Sequence, residues 1–172
     1  MDKSDHPHAA HRVLNTVNQM FAVYFWKTAL KRRFKDDENL FLPSIAVENA
    51  TVESSLLAIR AFDDFIKSNK KYLNELVASD FENLALNGRG ICSFERKKIN
   101  KQIAHLTTID LSSDSQGYSY RQSLEVVLPS AIAFCDYVSR EEFADSSLVC
   151  FADDTKEICE LVDTNYVNKP EA

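Results

Sequence analysis

One histidine, His105, stands apart from the other three, which all lie within the first eleven residues. It belongs to the stretch Ser93–Thr108, SFERKKINKQIAHLTT, which also holds four of the chain's twenty basic residues. Lys98, Lys101 and His105 are spaced by three and four residues, so a helix presents them on one side. An imidazole titrates near neutral pH and can accept and return a proton, while lysine ammonium groups attract an anion. A chemical site in this protein is therefore expected first around His105.

The element that positions this row is predicted by the apolar residues around it. Ile99, Ile103 and Leu106 repeat at helical spacing and indicate a packing side next to the row. Ser93 is a candidate N-cap, because its hydroxyl can accept a hydrogen bond from an N–H of the first turn. We therefore expect a short helix over Ser93–Thr108 that packs on one side and presents a cationic row on another.

A second line of charge lies on the helix predicted for Val47–Asn69. The small and apolar residues of this helix form a stripe suited to close packing: Ala50, Ser54, Leu57, Ala61 and Phe65. Its charged residues follow a different line: Glu53, Arg60, Asp64 and Lys67. These charges either pair with one another on the surface, or Arg60 faces inward near His105. The pattern leaves both alternatives open.

The rest of the chain also favours helices. Only three glycines occur, and apolar residues recur mostly every three or four positions, which is typical of helices rather than strands. After a flexible tail over residues 1–10, we predict helices at His8–Lys35, Lys71–Val77, Tyr120–Arg140 and Ser146–Val162. The expected fold class is all-α: one domain over residues 1–172, built as an antiparallel up-and-down bundle of four to five helices.

The negative charge is concentrated near the C-terminus. The chain has a net charge of −6, and residues 136–172 carry ten acidic side chains against three basic ones. The preceding residues are close to neutral, so a local basic patch is compatible with the overall charge. Residues 141–172 are expected to form an acidic helical segment.

Composition argues against several other classes of protein. No apolar run approaches the roughly 20 residues of a membrane-spanning helix, and the first residues lack the apolar core of a signal peptide. We therefore expect a soluble, cytoplasmic protein that does not contact a membrane. The cysteines share no C-x-x-C spacing and are expected to be reduced thiols: Cys92, Cys135, Cys150 and Cys159. No cluster of ligands predicts a metal site, and no cofactor is expected.

Two stretches together resemble the HEPN superfamily (higher eukaryotes and prokaryotes nucleotide-binding), in particular its abortive-infection-type prokaryotic branch. One is ATVESSLLAIRAFDDFI, residues 50–66, which is similar to the second helix of that branch, with an acid, an arginine two turns on, and then Asp-Phe. The other is KKINKQIAHLT, residues 97–107, which is similar to the Asn-Lys-x-x-Ala-His-Leu-Thr signature. The pair of motifs is more specific than either stretch alone.

The resemblance implies a bundle of four or five helices, frequent homodimers and, in active members, RNA cleavage without a metal. The motif of these members is an arginine, four to six residues, and then a histidine on one helix. Their histidine lines a cleft that is often formed across the dimer, and their arginine holds the phosphate. His105 matches the histidine, but the permitted arginine positions hold Lys98, Ile99 and Asn100. Arg96 lies farther back, on the opposite side of an ideal helix from His105.

Carried over to this chain, the resemblance implies that His105 is a catalytic residue. The missing arginine is expected as a second catalytic residue from elsewhere, either Arg60 of the second helix or an arginine of a partner chain. In a transesterification, His105 would draw the proton from a ribose 2′-OH. Arg60, or the more flexible Lys98, would stabilise the charge that develops on the phosphorane. The residues expected to bind RNA or to orient the catalytic groups are Lys98, Lys101, Asn100 and Glu53.

Two classes of function stay open. The first is a metal-independent endoribonuclease of a toxin, abortive-infection or RNA-processing system, with RNA, a second copy of the chain and an antitoxin or other protein as partners. The second is a degenerate, non-catalytic bundle that serves as a binding or dimerisation module. In that alternative His105 is buried, and Glu53 or a backbone carbonyl satisfies its ring. An accessible cleft that holds both His105 and Arg60 would favour the enzyme.

Overall fold

The computed structural model describes residues 5–26, 41–68, 75–86, 90–104, 120–140 and 145–167, without the side chains of residues 41–45, 98 and 101–104. These ranges contain six α-helices and no strand, which confirms the all-α class. The helices are α1 (His6–Gln19), α2 (Ala22–Phe25), α3 (Phe41–Ile66), α4 (Ser93–Ala104), α5 (Tyr120–Arg140) and α6 (Ser146–Val162). A 3₁₀ turn at Ala78–Asp80 and a π-helical turn at Asp163–Val167 complete them.

α6 begins and ends at the predicted residues, and α5 is helical over its whole predicted range, Tyr120–Arg140, where the described range also begins and ends. α3 is helical from Phe41, the first residue of its described range and earlier than the predicted start, and it includes Pro43. The short helix predicted at Lys71–Val77 is absent over residues 75–77, which precede the 3₁₀ turn, and its first four residues lie outside the described ranges.

The N-terminal tail is shorter than predicted. Residues 6–10 belong to α1, and Ala9 and Ala10 are buried in the core. The prediction of a flexible tail is therefore wrong for these residues, because two small apolar side chains pack there and Pro7 suits the first turn of a helix.

The single helix predicted for His8–Lys35 is interrupted at Met20 and Phe21, and its last nine residues lie outside the described ranges. Side chains from distant elements bind the backbone at this break. Ser55 Oγ accepts a hydrogen bond from Val23 N (3.1 Å) and donates one to Gln19 O (3.3 Å). Since a buried peptide group needs a partner, the fully buried Ser55 stabilises the break.

Tyr120, at the start of α5, binds the same break. Its hydroxyl donates a hydrogen bond to Met20 O. Burial raises the pKa of the Tyr120 phenol far above its usual value, so the hydroxyl keeps its proton and remains a donor. Buried hydrogen bonds at the break after α1 therefore join it to both α3 and α5.

An aromatic cluster fills the centre of the core. Phe65, Phe81 and Phe134 contact one another edge to face, with ring centroids 5.4–5.8 Å apart. They come from α3, from the segment after the 3₁₀ turn and from α5. Edge-to-face contacts of this kind add to the stabilisation from apolar burial.

The acidic C-terminal helix, α6, packs on the same bundle. Leu148, Ala152 and Cys159 are buried against α5 and α1. Asn18 Nδ2 of α1 donates a hydrogen bond to Thr155 Oγ1 (2.9 Å), which links the first and last helices. The acidic segment is therefore part of the domain rather than an appendage.

The stripe predicted for close packing on α3 is mostly exposed. Phe65 is buried, but Ala50 and Ala61 are exposed, Ser54 is half-buried and Leu57 is 44% exposed. The prediction is wrong for four of the five residues, because α3 has two apolar stripes. The stripe with the bulkier side chains, Val52, Leu56, Ile59 and Phe62, lies in the core.

Within the described ranges, no helix is both long and apolar enough to cross a membrane. The longest, α3, carries several charged side chains in its central and last turns, including Glu53, Arg60 and Asp63.

We expect Ser55→Ala to lower the free energy of unfolding by about 1–3 kcal/mol, because the buried Val23 N–H would lose its partner. The neighbouring change Ser54→Ala, on the outward side of α3, should cost no more than about 0.5 kcal/mol. Urea denaturation of both variants measures the difference. Equal effects would show that Ser55 does not stabilise the break.

Candidate functional site

The helix that leads towards His105 begins with a cap other than the predicted one. Cys92 is the N-cap: its carbonyl accepts the hydrogen bond from Arg96 N (2.9 Å), and its N–H donates to the Glu95 carboxylate (3.0 Å). Glu95 thus makes the return half of a capping box. Ser93 is the first helical residue, so its assignment as N-cap is wrong by one position. Ile99 is fully buried, as its place on the packing stripe predicts.

A buried carboxylate on α3, that of Asp63, holds the start of α4. Asp63 has no exposed surface, and it accepts hydrogen bonds from Ile91 N (2.7 Å), Lys67 Nζ (2.7 Å) and Arg96 Nη1 (2.9 Å). Lys67 Nζ also donates to Ile91 O. A buried charge needs opposite charges and hydrogen bonds around it, and Asp63 has both. We call these four residues the Asp63 anchor.

Arg96 joins the anchor to a second carboxylate on α3. Its Nη2 atom lies 2.6 Å from a carboxylate oxygen of Asp64. The hydrogen bond to Asp64, with the attraction of both carboxylates, raises the pKa of the Arg96 guanidinium above its usual value. Arg96 therefore remains charged and is held by two neighbouring acids of α3.

Gly90 makes the close approach at the anchor possible. A Cβ atom at this position would overlap Lys67 Cε and lie 2.8 Å from Asp63 Oδ1. Only a residue without a side chain leaves the space that Lys67 and Asp63 occupy, so the backbone before α4 can pass directly over them.

The anchor also indicates on which side of α3 the helix α4 lies. Ile91 contacts Lys67 and Asp63, and Arg96, five residues later in the chain, contacts Asp63 and Asp64. Arg60 lies three and four residues before Asp63 and Asp64, on the same side of α3. The start of α4 therefore lies against the side of α3 that carries Arg60.

The predicted site residues are only partly described by the structure. Arg60 is half-buried on α3, and Glu53, two turns earlier, is exposed. Asn100 is exposed on α4. Lys98 and Lys101 lie in α4, but their side chains are outside the described part, and His105 follows the last described residue of α4. The described residues thus show that α3 and α4, the helices that carry the two motifs, contact each other. His105 lies outside them, so its approach to Arg60 stays a prediction.

Asp63 is the residue that the sequence analysis missed. The sequence pattern places Lys67 on one line with Asp64, but the partner of Lys67 is Asp63, which lies one helical turn before Lys67. The sequence does contain an indication of a buried, paired Asp63. The residue lies on the same stripe of α3 as Leu56 and Ile59, and a lysine follows four residues later. The other partners, Ile91 and Arg96, are about thirty residues away in the chain, and no local pattern predicts them.

A cleft of about 420 Å³ adjoins the anchor between α1, α3 and residues 75–77. Phe62 and Phe65 line it, and the charged side chains Arg12, Asp64 and Glu75 stand around them. None of the four anchor residues lines it, but Asp64, which binds Arg96, does. Of the predicted site residues whose side chains the structure describes, none lines this cleft: Arg60, Glu53 and Asn100.

The described residues contain no group of three His, Cys, Asp or Glu side chains arranged to hold a metal ion. All four cysteines are free thiols, as predicted, with Cys135 and Cys159 buried and Cys92 and Cys150 exposed.

Comparison of the chain with family models, with curated proteins and with solved structures found no match. The likeness to the HEPN superfamily accordingly rests on the two motif-bearing stretches of the sequence.

We expect Asp63→Asn to lower the free energy of unfolding by about 3–5 kcal/mol, because it leaves Arg96 and Lys67 without their shared buried carboxylate. The matched change Asp64→Asn removes a carboxylate whose side chain is 40% exposed. It should cost no more than about 1 kcal/mol, since solvent screens that pair. Chemical denaturation measures both values, and a loss at Asp64 as large as that at Asp63 would contradict the buried anchor.

Proposed function

We propose that this chain is a HEPN-like RNA-binding protein that cleaves RNA without a metal, as part of a toxin, abortive-infection or RNA-processing system. One observation supports the proposal most strongly. The Asp63 anchor holds the start of α4, the helix that leads to His105, against the side of α3 that carries Arg60. The arginine that is missing from the motif can therefore come from the neighbouring helix.

In the proposed reaction, His105 takes the proton from a ribose 2′-OH as the 2′-oxygen attacks the adjacent phosphorus. The bond from phosphorus to the 5′-oxygen breaks, and that oxygen receives a proton from the imidazolium. The products are a 2′,3′-cyclic phosphate and a free 5′-OH. Arg60 stabilises the negative charge that develops on the phosphorane oxygens, since a guanidinium fork fits two of them at once.

The remaining predicted residues bind and orient. Lys98 and Lys101 attract the RNA backbone, and Asn100 and Glu53 hold the reacting groups in position. The charge available for phosphate on α4 is that of its lysines, because Asp63 and Asp64 neutralise Arg96. Lys97, next to the row, is exposed and adds to this attraction.

A second candidate function is favoured by the same ion pairs. Arg96 is the only arginine of α4, and two acids of α3 hold it, so α4 itself offers no arginine to a phosphate. If Arg60 does not replace it, the chain is a non-catalytic bundle whose α3–α4 pair serves binding or dimerisation, with an antitoxin or another protein as partner.

RNA cleavage separates the two candidates. We expect the purified full chain to cut single-stranded RNA in EDTA and to leave 2′,3′-cyclic phosphate ends. His105→Ala and Arg60→Ala should each lose about 100-fold or more of the rate, because each removes a group that acts in the transition state. Arg140→Ala is the matched control and should keep full activity, since Arg140 lies on α5 with an 80% exposed side chain.

Circular dichroism should show that all variants keep the helical content of the parent chain. A folded parent chain that leaves RNA intact would contradict the enzyme and favour the binding module. Equal cleavage by the parent and by His105→Ala would remove His105 from the chemistry.

A further inference from the structure

The cleft between α1, α3 and residues 75–77 has the size of a small-molecule site. Its volume of about 420 Å³ lies within the range of roughly 300–1,000 Å³ that is typical of ligand pockets. Phe62 and Phe65 form an aromatic floor, and both side chains are almost fully buried in the core. Closely packed core side chains keep their positions, so this floor is in place before a ligand binds.

Further apolar side chains line the walls of the cleft. Val13 comes from α1, Ala61 from α3 and Leu76 from the segment over residues 75–77. Ala61 is exposed and Leu76 is half-buried, so both offer apolar surface on the open side. A ligand with a bulky apolar group would therefore be stabilised by burial against all three elements.

The charged side chains of the cleft are separated by sign. Arg12 belongs to α1, whereas the two carboxylates belong to α3 (Asp64) and to the segment over residues 75–77 (Glu75). A molecule in the cleft therefore meets a guanidinium from one element and carboxylates from two others. This arrangement suits a ligand whose own positive and negative groups lie apart.

The charges around the cleft also favour a ligand without net charge. Among the described residues that line it, two carboxylates face one guanidinium, but Arg96 Nη2 lies 2.6 Å from an oxygen of Asp64 and restores the balance. A ligand with one charge of each sign preserves this balance. A purely anionic or purely cationic ligand would leave a partly buried charge without a partner, which is costly.

We propose that this cleft binds a free α-amino acid with a large apolar side chain. The ligand carboxylate binds Arg12, whose guanidinium offers two parallel N–H donors. The ligand ammonium group binds the carboxylates of Glu75 and Asp64, because a carboxylate that already holds an arginine keeps further acceptor positions. The ligand side chain lies on the aromatic floor. This inference does not depend on RNA cleavage, since it uses none of the residues assigned to that reaction.

An NMR titration of the isotopically labelled full chain with L-phenylalanine tests the site. We expect saturable shifts of the amides in the stretches that line the cleft, residues 12–16, 61–65 and 75–77. For a ligand of about twelve non-hydrogen atoms and ordinary efficiency, the dissociation constant should be about 3 mM or lower. Glycine should bind at least about tenfold more weakly, because it has no side chain to bury. A titration without saturable shifts in these stretches would overturn the proposal.

Two analogues that each lack one charge test whether both charges are recognised. L-phenylalaninamide has no carboxylate, and N-acetyl-L-phenylalanine has no ammonium group. Each should bind about tenfold more weakly than phenylalanine, since each loses charge-assisted hydrogen bonds. An analogue that binds as tightly as phenylalanine would show that the cleft does not recognise an amino acid.

Matched variants assign each charge of the ligand to a side chain. Arg12→Gln should weaken the binding of phenylalanine about tenfold and leave that of phenylalaninamide within about twofold, because the amide has no carboxylate for Arg12. Glu75→Gln should weaken both of these ligands and spare N-acetylphenylalanine. Asp64 is left intact because it also holds Arg96.

The control is Arg140→Gln, which removes an exposed arginine of α5 and should bind phenylalanine as the parent chain does. The amide spectra without ligand show whether each variant is folded like the parent. If Arg12→Gln weakened phenylalanine and its amide equally, or bound phenylalanine as tightly as Arg140→Gln, the assignment of Arg12 to the ligand carboxylate would be wrong.

Discussion

The structure depends on one buried carboxylate. Asp63 lies inside the bundle without exposed surface, and a charge in that position is tolerated only with opposite charges and hydrogen bonds around it. Lys67 comes from the same helix, but Ile91 and Arg96 come from the start of α4. The need to satisfy Asp63 therefore fixes where the chain returns after the central loops, and Gly90 provides the space for that return. A buried ion pair of this kind adds less to net stability than to the choice of one arrangement over others.

The anchor divides the basic residues of α4 into two groups with different roles. Arg96 serves the fold, because Asp63 and Asp64 hold its guanidinium against α3. The lysines that follow it are left to attract an anion. The same contact that occupies Arg96 holds the start of α4 on the side of α3 that carries Arg60.

Much of the fold was predictable because it is local. α6 was predicted to the residue and α5 over the whole of its described range, since each has one continuous apolar stripe. The break in the first helix was not, because the groups that stabilise it, Ser55 and Tyr120, are far away in the chain. The packing side of α3 was misassigned for a similar reason. α3 has two apolar stripes, and the sequence of the helix alone does not tell which of them packs against the other helices. In the candidate site, Arg60 and Glu53 were identified by pattern, but the partners of Asp63 are non-local.

The anchor is tested most directly by hydrogen exchange in the parent chain and in Arg96→Met, which keeps an unbranched apolar stem and removes the guanidinium charge. If Arg96 and Asp63 hold α4 against α3, the amides of Ser93–Ala104 should exchange about tenfold faster or more in the variant, through local opening. The amides of α5 and α6 should keep their protection, because their contacts do not involve Arg96. Unchanged exchange in α4, or an equal increase in every helix, would contradict a specific role of this ion pair in holding α4.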